Sequence, residues 1–304
     1  QCIKQVLEPI AEAKFYENSF GFRANRCAEN AIAVCMHHMT HAALHFVVDV
    51  DIKGFFDNVN HNKLLNQLWT MGIRDKKLIS IIKTILKTPI VLPDKTKIIP
   101  DKGTPQGGIL SPLLANIYLN ELDWWTASQW SDFPTKHNYT AKTSAHQALR
   151  NYSTLKEMRI VRYADDFKIF CRNKMDAEKV LQATTKWLKE RLELDISPEK
   201  SGITNLRKSY TDFLGIELKV RHKIELAVDR HVKGFAPKTW VATTRVKRKA
   251  LVRIEGNLIK QIHEIQFPTD NVDEAKSIRT YNSIVMGEHN YYCMATRSEE
   301  HTSE

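Results

Sequence analysis

Apolar residues recur at helical spacing over residues 2–15 and 27–44, which predicts two helices at the start of the chain. The period then changes. From Phe46, alternation places Val48, Val50 and Ile52 on one face of a strand and Val47, Asp49 and Asp51 on the other, until FVVDVDIKGFF (46–56) runs into a Gly-containing turn. Asn60 or His61 can cap a helix through KLLNQLWTMGI, and a second helix follows at about 75–87. IVLPDKTKIIP (90–100) reads as a hairpin around Pro93-Asp94-Lys95, and KGTPQGGILSP (102–112) as a loop leading into the helix LLANIYLNELDWW. Residues 131–157 are polar and poorly periodic, as in an insertion. RYADDFKIF (162–170) reads as strand–turn–strand, followed by an amphipathic helix at about 176–193. Short strands are predicted around 202–205, 213–219 and 223–228, with helices in the basic segment beyond and over 272–295. Strands and helices alternate without a regular βαβ rhythm. This predicts an α+β fold, an antiparallel sheet with helices on one face, followed by a helical C-terminal domain.

Composition narrows the class. A chain of 304 residues, 42% hydrophobic, can bury a real core in one large or two ordinary domains. Its five cysteines, at 2, 27, 35, 171 and 293, lack metal-ligand spacing and read as reduced thiols. No run approaches the roughly eighteen apolar residues of a membrane span, and there is no signal peptide. The net charge is +10, and it is uneven: residues 221–260 hold eleven Lys/Arg against three acids. Phe235, Trp240 and Ile254 interleave that run. Charge segregated this way suits a polyanion, above all nucleic acid.

Asp165 and Asp166 are the oddity of RYADDFKIF, because strand interiors are depleted in Asp and a buried carboxylate needs a partner. A hairpin turn accounts for them. So does a divalent cation, which relieves the repulsion of adjacent carboxylates. Asp51 supplies a second acidic strand end, and Asp49, on the same face, is not excluded by spacing. Three acids from two strand ends can hold two Mg²⁺ ions roughly 3.5–4 Å apart for in-line phosphoryl displacement. With the basic segment, this points to nucleotidyl transfer on nucleic acid. His37, His41 and His45 fall at i, i+4, i+8, but no acid or cysteine joins them, so a polar stripe is expected. Trp124 and Trp125 are expected to be packing anchors.

VDVDIKGFFDNVNH, TPQGGILSPLLANIYLNELD and RYADDFKIF resemble consecutive blocks of the reverse-transcriptase palm. ENSFGFRANR (17–26) resembles the block before them, FLGIEL (213–218) the block after, and YNSIVMGEHNYYCMAT (281–296) the thumb, or maturase X domain, of group II intron reverse transcriptases. The resemblance implies a right-hand polymerase palm plus a helical thumb. Partial fingers would cover 1–45, the palm 46–228 and the thumb 229–296. Asp51, Asp165 and Asp166 would be the catalytic acids holding Mg²⁺, with Mn²⁺ a substitute and the Ile52 carbonyl a further contact. Phe56 would be the sugar gate selecting dNTP, Gln106 would lie near the incoming nucleotide, and Lys200 falls where related polymerases can protonate pyrophosphate. Arg23, Leu214, Gly215, Lys247, Arg248 and Lys249 would face the template and primer. The implied partners are intron RNA, an RNA template with a DNA primer, and dNTPs, in a bacterial cytoplasm rather than an organelle; a homodimer is left open. Two alternatives stand: a reverse transcriptase of retron or CRISPR-associated lineage, and a non-catalytic RNA-binding maturase. RSEEHTSE (297–304) has no apolar residue and resembles the in-frame translation of a sequencing adapter, so it is expected not to be protein-derived. Gln1 opens within the block that follows the fingers hairpin, so the chain is expected to be a fragment, weak or inactive alone.

Overall fold

The computed structural model describes residues 1–91, 95–105, 107–222, 240–267 and 274–295. The chain divides into two compact units, Gln1–Asn205 and Leu206–Glu304. In the first, a sheet of order β4-β5-β1-β6 is formed by Met158–Tyr163, Asp166–Cys171, Phe46–Val50 and Gly202–Asn205. Its neighbouring strands are antiparallel. The helices are α1 (Cys2–Glu12), α2 (Ala28–Thr40), the single turn α3 (Phe55–Asn58), α4 (His61–Thr70), α5 (Lys76–Leu86), α6 (Ser111–Gln129), α7 (Lys142–Tyr152) and α8 (Lys174–Leu192). A two-residue pair, β2 (Ile90–Val91) with β3 (Lys97–Ile98), makes the expected hairpin, whose tip at 92–94 lies outside the described residues.

The alternation read in β1 is the alternation found. Val48 and Val50 enter the main core with Ile160 of β4 and Ile169 of β5, while Val47 and Phe170 stay out of it. α6 and α8 cover this face. α6 is buried almost all round, as a helix at the centre of a domain must be, and Pro112 sits in its first turn, where a missing N–H leaves nothing unpaired. The opposite face is not bare, contrary to the expectation of helices on one side only. α2 lies against it, and the His38 ring meets Phe170 edge-on at 5.7 Å. Alternation in β1, β4 and β5 supplies apolar residues to both faces, so both need cover. The insertion 131–157 also holds more order than its polarity suggests: α7 anchors through buried His146 and Leu149.

In the second unit, β7 (Thr211–Phe213), β8 (Ile216–His222) and β9 (Trp240–Val246) form an antiparallel sheet, followed by α9 (Arg248–Gln266) and α10 (Glu274–Tyr292). β9 lies in the basic segment, where a helix was expected. WVATTRV is β-branched and buries Ala242 and Thr244 in alternation, a strand pattern that its positive charges mask. Seven residues of β9 pair with β8. The strand expected at 223–228 lies outside the described residues, as does the tail 297–304. No helix among the described residues is long and apolar enough to cross a membrane.

Candidate active site

The acids meet through strand register. β1 pairs with β5 as Asp49↔Lys168 and Val50↔Phe167, which leaves Asp51 and Asp166 as the next residues at that end of the sheet. β5 pairs with β4 as far as Tyr163↔Asp166, which leaves Ala164 and Asp165 as a two-residue turn. Ala164 takes φ +59°, the left-handed conformation that a tight hairpin demands and that costs a non-glycine residue about 1–2 kcal/mol. Asp51, Asp165 and Asp166 therefore share one sheet edge, Asp165 half-buried and Asp166 exposed.

Asp49 is a different case. Its carboxylate pairs with Lys168, itself only 4% exposed, and accepts a hydrogen bond from the Thr204 hydroxyl at 3.1 Å. Of the two candidate acids in β1, Asp49 holds the sheet and Asp51 faces the site. The Asp51 amide donates to Ser201 Oγ at 3.1 Å, and its carbonyl accepts from the Ser197 amide at 2.8 Å. Ile52 forms an antiparallel bridge with Ile196 through the Asp51 carbonyl and the Lys53 amide, so the Ile52 carbonyl takes no part in it. Lys200 Nζ lies 3.7 Å from Asp51 Oδ2, with both side chains well exposed. Lys200 thus belongs at this edge, in a weak, solvated pair.

Phe55 and Phe56 separate as expected. Phe55 is buried against Tyr118 at 6.4 Å, and Phe56 stands half-exposed beside it. The loop before α6 docks on this turn: the Gly103 amide donates to the Val59 carbonyl and the Thr104 amide to the Phe56 carbonyl, both at 2.7 Å. A Cβ on Gly103, whose φ is +92°, would lie 3.0 Å from the carbonyl oxygens of Phe56 and Asp57. The Pro105 end of the Pro-Gln-Gly-Gly loop is thereby tied to Phe56, while Gln106 itself lies outside the described residues.

Arg23, expected to face the template and primer, lies mostly in the interior. It is 8% exposed, holds Glu12 by a two-pronged bridge at 2.6–3.1 Å, and donates to the Tyr16 and Ser19 carbonyls at 2.7 Å. A guanidinium enclosed in this way braces its own loop. Leu214 and Gly215 form the turn between β7 and β8, with φ of +56° and +77°. The Leu214 carbonyl accepts from the Tyr291 hydroxyl at 3.0 Å, and the Gly215 carbonyl from the Lys247 amide at 3.1 Å. Lys247 opens α9 and pairs with Asp212, whose hydrogen bond raises the lysine pKa; Arg248 and Lys249 are exposed. His37 and His41 stack at 4.9 Å, but His45 lies past the end of α2 and bonds the Met39 carbonyl. Trp125 stacks on Trp187 at 5.0 Å, and the Trp124 indole donates to the Lys14 carbonyl, so both are packing anchors.

Among the described residues, no three His, Cys, Asp or Glu side chains close into a cage that could hold a cation unaided. A divalent cation held by one or two carboxylates takes the rest of its shell from water and substrate phosphates. The donor set, carboxylates and a backbone carbonyl, is all oxygen and fits a hard cation.

The sequence reading missed the fully buried Arg162, which holds Asp123 through three contacts of 2.5–3.0 Å. Burial raises the Asp123 carboxyl above its ordinary value, and the charge and hydrogen bonds of the Arg162 guanidinium oppose that rise. The available signal was an arginine inside an apolar strand, with Asn116 and Asp123 seven residues apart in an apolar helix.

Residues 1–218 match the model of the family described as reverse transcriptase (RNA-dependent DNA polymerase), and the chain belongs to that family. It is 31% identical over 261 residues to the group II intron-encoded protein LtrA of Lactococcus lactis subsp. cremoris, covering 73% of this chain and 42% of that protein. It is 29% identical over 172 residues to the mitochondrial nuclear intron maturase 2 of Arabidopsis thaliana, covering 44% of this chain and 23% of that one. The chain thus spans less than half the length of these relatives. The telomerase of Candida albicans, solved with a fragment of telomeric RNA, shares the fold at a TM-score of 0.51 and 11% identity, over 95% of this chain and 47% of that one.

Proposed function

We propose that this chain carries the polymerase centre of a group II intron-encoded reverse transcriptase, which copies RNA into DNA from a primer and also binds its intron RNA as a splicing maturase. The observation that carries the reading is the register: β1 and β5 pair as far as Val50↔Phe167, which leaves Asp51 and Asp166 as the next residues at that end of the sheet, with Asp165 in the adjoining turn. The presence of all three acids favours a polymerase over a protein that only binds RNA. Likeness to intron-encoded proteins and a maturase favours the intron lineage over retron or CRISPR-associated ones.

Asp51, Asp165 and Asp166 would hold two Mg²⁺ ions, or Mn²⁺ in their place, with the Ile52 carbonyl beside them. A metal held there would supply a lowered pKa for the attacking hydroxyl and positive charge for the leaving pyrophosphate. Phe56 would lie under the sugar of the incoming dNTP. Gln106 would be near its base. Lys200, 3.7 Å from Asp51, would give a proton or a positive charge to pyrophosphate. The β7–β8 turn at Leu214-Gly215 would support the primer, and Arg248 and Lys249 would meet backbone phosphates. Arg23 is left out of this set by its burial.

The test is Asp165→Asn in the full chain, assayed for primer extension on an RNA template. Extension should fall below detection while RNA affinity stays within about twofold, because the change removes a metal ligand and leaves the fold. Robust extension by the variant would remove the assignment.

A further inference from the structure

The turn carrying Asp165 and Asp166 is held by a buried polar network that the chemistry just described does not use. Arg162 and Asp123 are 0% exposed and Asn116 is 1% exposed. The Arg162 guanidinium has three attachments: Asp123 by its Nε and Nη2, the Asn116 side-chain oxygen by Nη1 at 2.9 Å, and the Ala164 carbonyl by Nη1 at 2.7 Å. The last is the peptide oxygen immediately before Asp165. Asn116 turns its amide the other way and donates to the Gly21 carbonyl at 2.7 Å.

Gly21 belongs to a stretch that extends the sheet. The Phe20 amide donates to the Arg162 carbonyl at 2.8 Å, and the Arg162 amide to the Asn18 carbonyl at 2.9 Å, in a parallel bridge along the edge of β4. Gly21 then lies directly against the acidic turn: a Cβ there would come within 2.4 Å of the Ala164 nitrogen and 3.0 Å of the Tyr163 carbonyl carbon. Backbone cannot move aside as the tip of a side chain can. Three remote segments, around 18–21, 116–123 and 162–164, thus converge on one two-residue turn whose Ala164 is in a left-handed conformation. Such a conformation persists only where its surroundings over-determine it.

We propose that Arg162, with Asn116, Asp123 and Gly21, is a positioning device that sets where the Asp165 and Asp166 carboxylates stand, and so sets the affinity of the site for its divalent cation. The network touches neither substrate nor metal and acts through the turn. This rests on the reading of Asp165 as a metal ligand. It goes beyond that reading by assigning metal affinity to residues on the far side of the hairpin.

Removing Arg162 would strand a buried carboxylate and threaten folding, so the decisive variants are Gly21→Ala and Asn116→Ala, which bury no unpaired charge. Two quantities are read on the full chain with a template–primer: Mn²⁺ binding by electron paramagnetic resonance, and the Mg²⁺ concentration that half-saturates primer extension. Thermal unfolding and RNA affinity serve as controls. Both variants should weaken Mn²⁺ binding and raise the half-saturating Mg²⁺ by roughly fivefold or more, with RNA affinity within about twofold of wild type. Unchanged metal dependence in folded variants, with only the unfolding temperature lowered, would overturn the proposal and leave the network structural. Asp165→Asn separates the two readings. If wild-type Mn²⁺ binding does not depend on Asp165, the positioning proposal is overturned. If it does depend on Asp165 while the wild type, with its metal bound, extends no primer, the polymerase reading fails, and the Mn²⁺ titrations of Gly21→Ala and Asn116→Ala still decide the network.

Discussion

Phe56 and its neighbour show how one residue step divides core from site. Phe55 goes into the interior beside Tyr118 and closes the α3 turn from below. Phe56 keeps part of its ring in solvent, and its carbonyl receives the Thr104 amide of the loop before α6. The backbone that carries the ring is tied to that loop, and on the proposal that the ring lies under the incoming sugar it would meet a 2′-hydroxyl. Replacing Phe56 with Ala should therefore raise rNTP use relative to dNTP by roughly tenfold or more, a change of about 1.4 kcal/mol in discrimination. Competition assays with each nucleotide pair measure it. An unchanged ratio in a folded, active variant would return the ring to the core. The two acids of β1 divide in the same manner: Asp49 is claimed by Lys168 and Thr204, and Asp51, two residues on, reaches the edge.

At the scale of elements, the contact between α2 and the sheet sets a dependence on pH. Burial, then the charges of Arg159 and His37, push the His38 imidazole down to about 3, and both its ring nitrogens lack partners. Just before β4, burial alone would raise the Glu157 carboxyl, but hydrogen bonds and charge from Arg150 and Arg172 outweigh it and hold it at about 2. For both groups the unfolded chain binds protons more readily than the folded one, so stability is lost as pH falls. The window for His38 opens below its ordinary value of 6.5, and that for Glu157 below 4.5. One pKa unit corresponds to about 1.4 kcal/mol, so the His38 share is on the order of a few kcal/mol. Urea unfolding near pH 7 and near pH 5 should show this loss in the wild type and much less of it in His38→Leu. Equal losses in both proteins would place the proton uptake elsewhere.

For the whole molecule, the net charge of +10 matters through its distribution. The N-terminus of α9 brings Lys247, Arg248 and Lys249 together directly after β9. Lys247 is partly neutralised by Asp212, whereas Arg248 and Lys249 are exposed. Each phosphate neutralised on a duplex contributes roughly 0.9 to the slope of log affinity against log salt. Replacing all three with Ala should flatten that slope by about two for a template–primer duplex, with Arg248 and Lys249 contributing most. Fluorescence anisotropy at several salt concentrations measures it, and an identical slope would assign the cluster to solvent.

The chain's own pattern determined much of this. Alternation in 46–52 and the acids at 51, 165 and 166 are local facts, and strand pairing needs only the period of two to put them on one edge. The helices α4, α5 and α8 were legible because their apolar spacing is strong and Asn60, Asp75 and Asn173 cap them. α7 and β9 were not, since polar and basic residues dilute their periodicity and it is the neighbours they pack on that stabilise them. What only the tertiary structure decided is which polar residue serves which purpose. Asp49 and Asp51 share a face and differ in whether Lys168 reaches them; Arg23 and Arg162 carry the same guanidinium as any surface arginine. The grip of Arg162 on the turn before Asp165 depends on Asp123 and Asn116, 39 and 46 residues away, and on the 18–21 stretch, more than a hundred residues away, meeting it in space. Periodicity along a chain carries no record of such meetings, because they are set by packing between elements and not by spacing within one.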